Sequence, residues 1–187
     1  MLQTLPDWTR HLRAVAGPGA PASTAGLPPA VLDGPGPDGP LWRATRGDPG
    51  ALAAADAVLA ARPGQSLTDL GGYQSIEVWT ECELSALHAL WRLCRTHPSP
   101  ARAARLRELR AWHLEHTQPD NGTNRPWAIH AFLAAGDPES RHCAETMLHA
   151  VCASDARGEP LTHWILADAA HELALLAHAD APRTSGP

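Results

Sequence analysis

The chain contains no lysine: all 15 of its basic residues are arginine, set against 20 acidic ones, and the formal charge is −5. A general nucleic-acid binder needs a basic stripe to neutralise phosphates, so that class is excluded. Strand-forming side chains are scarce, with one Phe, one Tyr and only Ile76, Ile129 and Ile165 as isoleucines, which leaves little material for a sheet. No stretch approaches the roughly 18 apolar residues that cross a bilayer. The opening residues Met1 to Asp7 have neither a positive n-region nor an unbroken apolar run, so neither a membrane span nor a signal peptide is expected. Cys82, Cys94, Cys143 and Cys152 form no CxxC pair, which removes zinc-knuckle and thioredoxin-type motifs. Helical spacing holds Cys82 from Cys94, and Cys143 from Cys152, beyond disulfide reach. Pairing between different helices stays open, and reduced thiols with a cytoplasmic location are the plainer expectation. No phosphate loop, GxSxG, HExxH or dinucleotide fingerprint occurs, and no cofactor or metal is expected. His142, Glu145 and His149 share a helix face but read as a solvated stripe, whereas Arg102, Arg105, Arg107 and Arg110 do not share one face and read as mostly solvated surface.

What the chain does have is alanine, proline, glycine and arginine, the coding bias of a GC-rich, bacterial-type genome. Its 187 residues suit one domain, or one domain with a tail. Half of the 18 prolines and 7 of the 15 glycines fall in the first 49 residues. Residues 1–49 accordingly read as a short helix over 4–16, capped by Thr4, followed by an irregular Pro/Gly-rich arm anchored through Trp42. Residues 50–180 read as an α-helical domain, and 181–187 as a disordered tail. The punctuation predicts six main helices, at about 50–61, 75–96, 99–117, 125–135, 138–153 and 160–179. Gly136-Asp137-Pro138, for example, supplies a C-cap, an N-cap and an N1 proline in sequence. The expected fold is all-α: stacked antiparallel helical hairpins forming an arc or partial ring.

A weak internal repeat supports that stacking. The second, fourth and sixth of these helices carry a tryptophan in their first turns, Trp79, Trp127 and Trp164, about one hairpin apart. This alternation resembles the α/α-toroid proteins, the terpenoid-cyclase-like and six-hairpin glycosidase-like folds, in which tryptophan-bearing inner helices alternate with outer ones. The resemblance covers residues 50–179 and rests on hairpin period; the DxDD run of class II terpene cyclases is absent. No catalytic residue transfers with it.

On helix two, the face of Ile76, Trp79, Cys82, Ala86, Leu87, Leu90, Leu93 and Cys94 has Glu83 at its centre, while Glu77, Glu81, His88 and Arg92 fall on the opposite, polar side. On helix six, Asp168 lies one turn after Trp164, and on helix four His130 lies one turn after Trp127. If the hairpins stack in order, Glu83, His130 and Asp168 converge, which is an arrangement suited to acid–base chemistry. The bland alternative is a satisfied polar network that fixes helix register. The segment Asp120 to Trp127 holds both asparagines of the chain, Asn121 and Asn124, beside Arg125. Together with Tyr73 and His163, which open the other two inner helices, these residues and Trp127 make a candidate ligand-binding rim. His113 and His116 are explained by the carbonyl end of helix three.

Two functions compete. The first is a helical binding or scaffold module, with a protein partner or self-association. The second is a small hydrolase or lyase acting on a carbohydrate or another polar ligand through Glu83, His130 and Asp168.

Overall fold

The structure, a computed structural model, describes residues 4–18, 27, 29–32, 36–117 and 125–179. It is all-α, and no strand occurs among the described residues. The helices are α1 (Leu5–Ala16), α2 (Pro29–Leu32), α3 (Asp38–Thr45), α4 (Pro49–Ala60), α5 (Ile76–Thr96), α6 (Pro100–His116), α7 (Ile129–Leu133), α8 (Pro138–Ala153) and α9 (Pro160–Ala179).

Their starts follow from local chemistry. Thr4 accepts from the Asp7 N–H while Asp7 reaches back to the Thr4 N–H, a reciprocal capping box. Asp48 caps the N–H groups of Gly50 and Ala51, Ser75 caps that of Val78, and Asp137 caps that of Ser140. Pro49, Pro100 and Pro138 stand in first turns, where a missing N–H costs nothing.

The fourth helix of the sequence reading is shorter than expected, at Ile129–Leu133 rather than 125–135. Ala128 precedes it in the left-handed region, with φ 58 and ψ 12, so the α-helix cannot begin earlier.

Part of the stretch expected to be irregular is also helical. Within α3, Leu41 and Trp42 are wholly buried, and this helix packs on both α4 and α5. Proline and glycine content hid it, because an eight-residue helix is held by what its side chains bury rather than by propensity.

The packing that follows is stripe against stripe. Trp8, Leu12 and Ala16, spaced four apart, form the buried face of α1, which packs extensively on α9. Each large side chain so covered is worth about 2–3 kcal/mol. Ala51, Ala55 and Leu59 repeat the spacing on α4. α5 is central, touching α3, α6 and α7, and is buried around most of its circumference.

Two of the four arginines of α6 are ties rather than solvated decoration. Arg102 grips Asp56 of α4 through two bonds of 2.7 Å, and Arg105, only 6% exposed, donates to the Arg62 and Gln65 carbonyls.

Candidate functional site

The polar residues of the core fall into two networks. The first joins α5 to α9. His88 Nε2 lies 2.9 Å from Asp168 Oδ2, and Arg92 also bonds Asp168. One turn further on, Arg95 holds Glu172 through Nε at 2.9 Å and Nη2 at 2.8 Å, while Trp91 Nε1 donates to the same carboxylate at 3.2 Å. The partners ascend in step along both helices, so α5 and α9 run in parallel. Asp168 and Glu172 are at most 1% exposed. Burial pushes the Asp168 carboxyl up, but the His88 hydrogen bond and the Arg92 charge more than offset it and hold it below the ordinary aspartate value.

His88 and Arg92 were expected on the polar side of their helix; they are 0% and 9% exposed. A helical wheel scores one helix at a time, whereas their burial depends on carboxylates supplied by α9. Both His88 nitrogens are in use. The strained Ala128 backbone points its N–H at Nδ1, 3.2 Å away, which assigns the ring proton to Nε2.

His130 stands with its ring centroid 4.3 Å from that of His88 and 5.1 Å from that of Trp91. It is fully buried, and neither ring nitrogen has a partner among the described residues. Burial above all, then the nearby His88 and Arg92, push its pKa well below the usual histidine value. Around these imidazoles the rings of Trp42, Trp127 and Trp164 meet within 6.3 Å of one another. Trp42 reaches out of this cluster to donate to Ser85 Oγ at 3.0 Å, and Ser85 donates to the buried Asp38 at 2.8 Å.

Glu83 belongs to a second network. Its carboxylate accepts from the Leu67 N–H (2.9 Å), the Thr68 N–H (2.7 Å) and the Thr68 hydroxyl (2.7 Å), and His113 Nε2 lies 3.5 Å away. Burial pushes this carboxyl up, and His113 with the loop donors outweighs it, so the group stays below the ordinary glutamate value. The Thr68 hydroxyl is also 3.2 Å from Tyr73 OH, which draws Tyr73 into the same loop clamp. His113 is 1% exposed, so its place is the core rather than a solvated helix end, while His116 stacks flat on Trp112.

The three expected acid–base residues are therefore divided. His130 and Asp168 both reach His88; Glu83 does not join them. The tryptophans divide in the same way, because Trp79 packs edge-on against Trp112, and Trp42 of α3 takes its place beside Trp127 and Trp164.

At the opening ends of α5 and α9, Arg125 bonds Glu81 and also Glu159 (2.8 Å), and Trp127 Nε1 lies 3.4 Å from Glu81. His163 contacts the Arg157 carbonyl at 2.8 Å. Arg125 here clamps helix ends. Asn121 and Asn124 lie outside the described residues.

One further feature was not anticipated. A groove of about 360 Å³ runs between α5, α6 and α9, walled by Trp91, Cys94, Leu106, Leu175 and Leu176, with the Arg95–Glu172 pair at its margin. The apolar spacing of α9 was legible, but nothing in one helix reveals a gap between three.

No group of three or more His, Cys, Asp or Glu side chains among the described residues is placed to hold a metal, and no described helix is long and apolar enough to cross a membrane. Comparison with family models, curated proteins and solved structures gives no match to this chain.

Proposed function

We propose that this chain is a helical binding module whose ligand site is the groove between α5, α6 and α9. The observation that carries this reading is the groove itself: about 360 Å³, walled by half-buried apolar side chains, with few polar groups at its edge. Small-molecule sites between helices have this size and composition. The parallel run of α5 and α9 supports an α/α-toroid-like arrangement of inner helices around it.

The chemistry of the core favours binding over catalysis. Glu83 spends its oxygens on a loop, and Asp168 on His88 and Arg92. His88 spends both nitrogens, and Glu83, His130 and Asp168 are not among the groove's walls. A general acid or base must reach the proton that it moves.

The test is calorimetric titration with 1-octanol, a neutral apolar chain. One saturable site per chain is expected, lost in Leu175→Trp, which fills the groove. Absence of binding, or binding unaffected by Leu175→Trp in a variant that keeps its helical circular dichroism, sinks the reading.

A further inference from the structure

Beyond an apolar wall, the groove has an unequal distribution of charge. Arg95 lines it with a side chain that is 41% exposed, whereas its partner Glu172 is 1% exposed. The two bonds between them use Nε and Nη2, which is one edge of the guanidinium. Neither bond uses Nη1, and no partner of Nη1 occurs among the described residues, so the outer fork formed by Nη1 and the second Nη2 hydrogen is open there. That fork matches the two oxygens of a carboxylate. Glu172 also fixes the guanidinium plane, so an incoming anion does not bear the whole entropic cost of ordering Arg95.

A second observation agrees in sign. Cys94 lines the same groove; burial pushes its thiol up to about 11, and Arg102 and Arg107 of α6 work against that rise. Arg102 is already paired with Asp56, whereas Arg107 is exposed, so Arg107 is the positive charge that remains beside the groove.

We infer that the groove takes an amphipathic carboxylate, with its apolar chain along Trp91, Leu106, Leu175 and Leu176 and its carboxylate on the outer fork of Arg95. This rests on the groove reading above and adds the head group to it.

The experiment compares octanoate with 1-octanol by calorimetric titration of the full chain, each ligand below its aggregation limit. Octanoate is expected to bind about tenfold more tightly than 1-octanol, the scale of one charge-assisted bidentate contact. Arg95→Lys keeps a positive charge near Glu172 but removes the fork. It should cut the octanoate preference over 1-octanol from about tenfold to none, whatever it does to the affinity that the two ligands share. Arg95→Gln should do the same, and its melting curve reports whether Glu172, left without its closest cation, has loosened the fold. Equal affinity of the two ligands for the wild type, or a preference for octanoate that survives in both Arg95 variants, overturns the carboxylate and leaves the groove standing. Failure of both ligands to bind the wild type overturns the groove itself.

Discussion

His88 and Asp168, 80 residues apart in the chain, meet at 2.9 Å in the middle of the core. Arg92 joins them from one turn along α5, so a carboxylate with no solvent contact carries a hydrogen bond and a full countercharge. Such a network is no guarantee of net stability, because burying its charges costs several kcal/mol each. Breaking it from one side is a different matter.

Asp168→Ala leaves Arg92 almost buried without its main counterion and His88 without an acceptor. We expect a loss of about 3–5 kcal/mol in urea unfolding. Glu172 remains 3.9 Å from Arg92, and that proximity limits the loss to the lower part of the range. A loss below about 1 kcal/mol would mean that the network is solvated.

Glu83 is tested at the loop that it clamps. Glu83→Ala orphans the Leu67 and Thr68 N–H groups, each worth about 1–3 kcal/mol when buried without a partner. Amide hydrogen exchange at Leu67 and Thr68 should accelerate more than exchange elsewhere in the core. Uniform acceleration across α5 would assign Glu83 to the whole helix instead of the loop.

His130 sets the first step of acid sensitivity. Its folded pKa lies well below the ordinary value of 6.5, because burial and the nearby His88 and Arg92 oppose its cation. Below pH 6.5 the unfolded chain therefore takes up a proton that the folded chain refuses, and stability falls as pH falls, by at most about 1.4 kcal/mol per pH unit for this one group. Asp168 and Glu83 add a separate loss in more acid solution. Their stabilisation is present above the ordinary values of 3.8 and 4.5 and disappears as pH falls through their lower folded values. Urea midpoints at pH 7.5, 6.5 and 5.5 should decline in the wild type and stay level in His130→Leu. A wild-type profile as flat as that of the variant contradicts the assignment.

Asp38 has the opposite sign. Burial raises its carboxyl above the usual aspartate value, with the Ser85 hydroxyl opposing the shift, so its charge is a cost at neutral pH. Asp38→Asn keeps an acceptor for Ser85 and removes the charge. The thermal midpoint at pH 7.5 should equal or exceed that of the wild type. A fall of several degrees would show that the charge itself is needed, for instance at the first turn of α3.

Much of the fold was legible where the signal is local. Thr4, Ser75 and the Asp137-Pro138 pair mark helix starts by satisfying nearby N–H groups, and these starts stand where the sequence puts them. What escaped was non-local. The equivalence of Trp79 with Trp127 and Trp164 rested on their first-turn placement alone, yet the tertiary neighbour of the latter two is Trp42. The buried network carried one readable hint. His88, Arg92 and Arg95 are spaced by four and three residues, matching Asp168 and Glu172 four apart on another helix. Charges in complementary register on two distant helices are a signal that a one-helix wheel discards. The groove left no local trace, because a gap is a property of three surfaces at once.

The measurement that tests the central claim most directly is a two-dimensional NMR titration of the full chain with octanoate, read residue by residue. The account predicts saturable shifts at the Trp91 indole N–H, at Leu106 and at Leu175 and Leu176, with Arg125, Trp127 and His163 unmoved. Shifts centred on Arg125, Trp127 and His163, or no saturable shift anywhere, would contradict it.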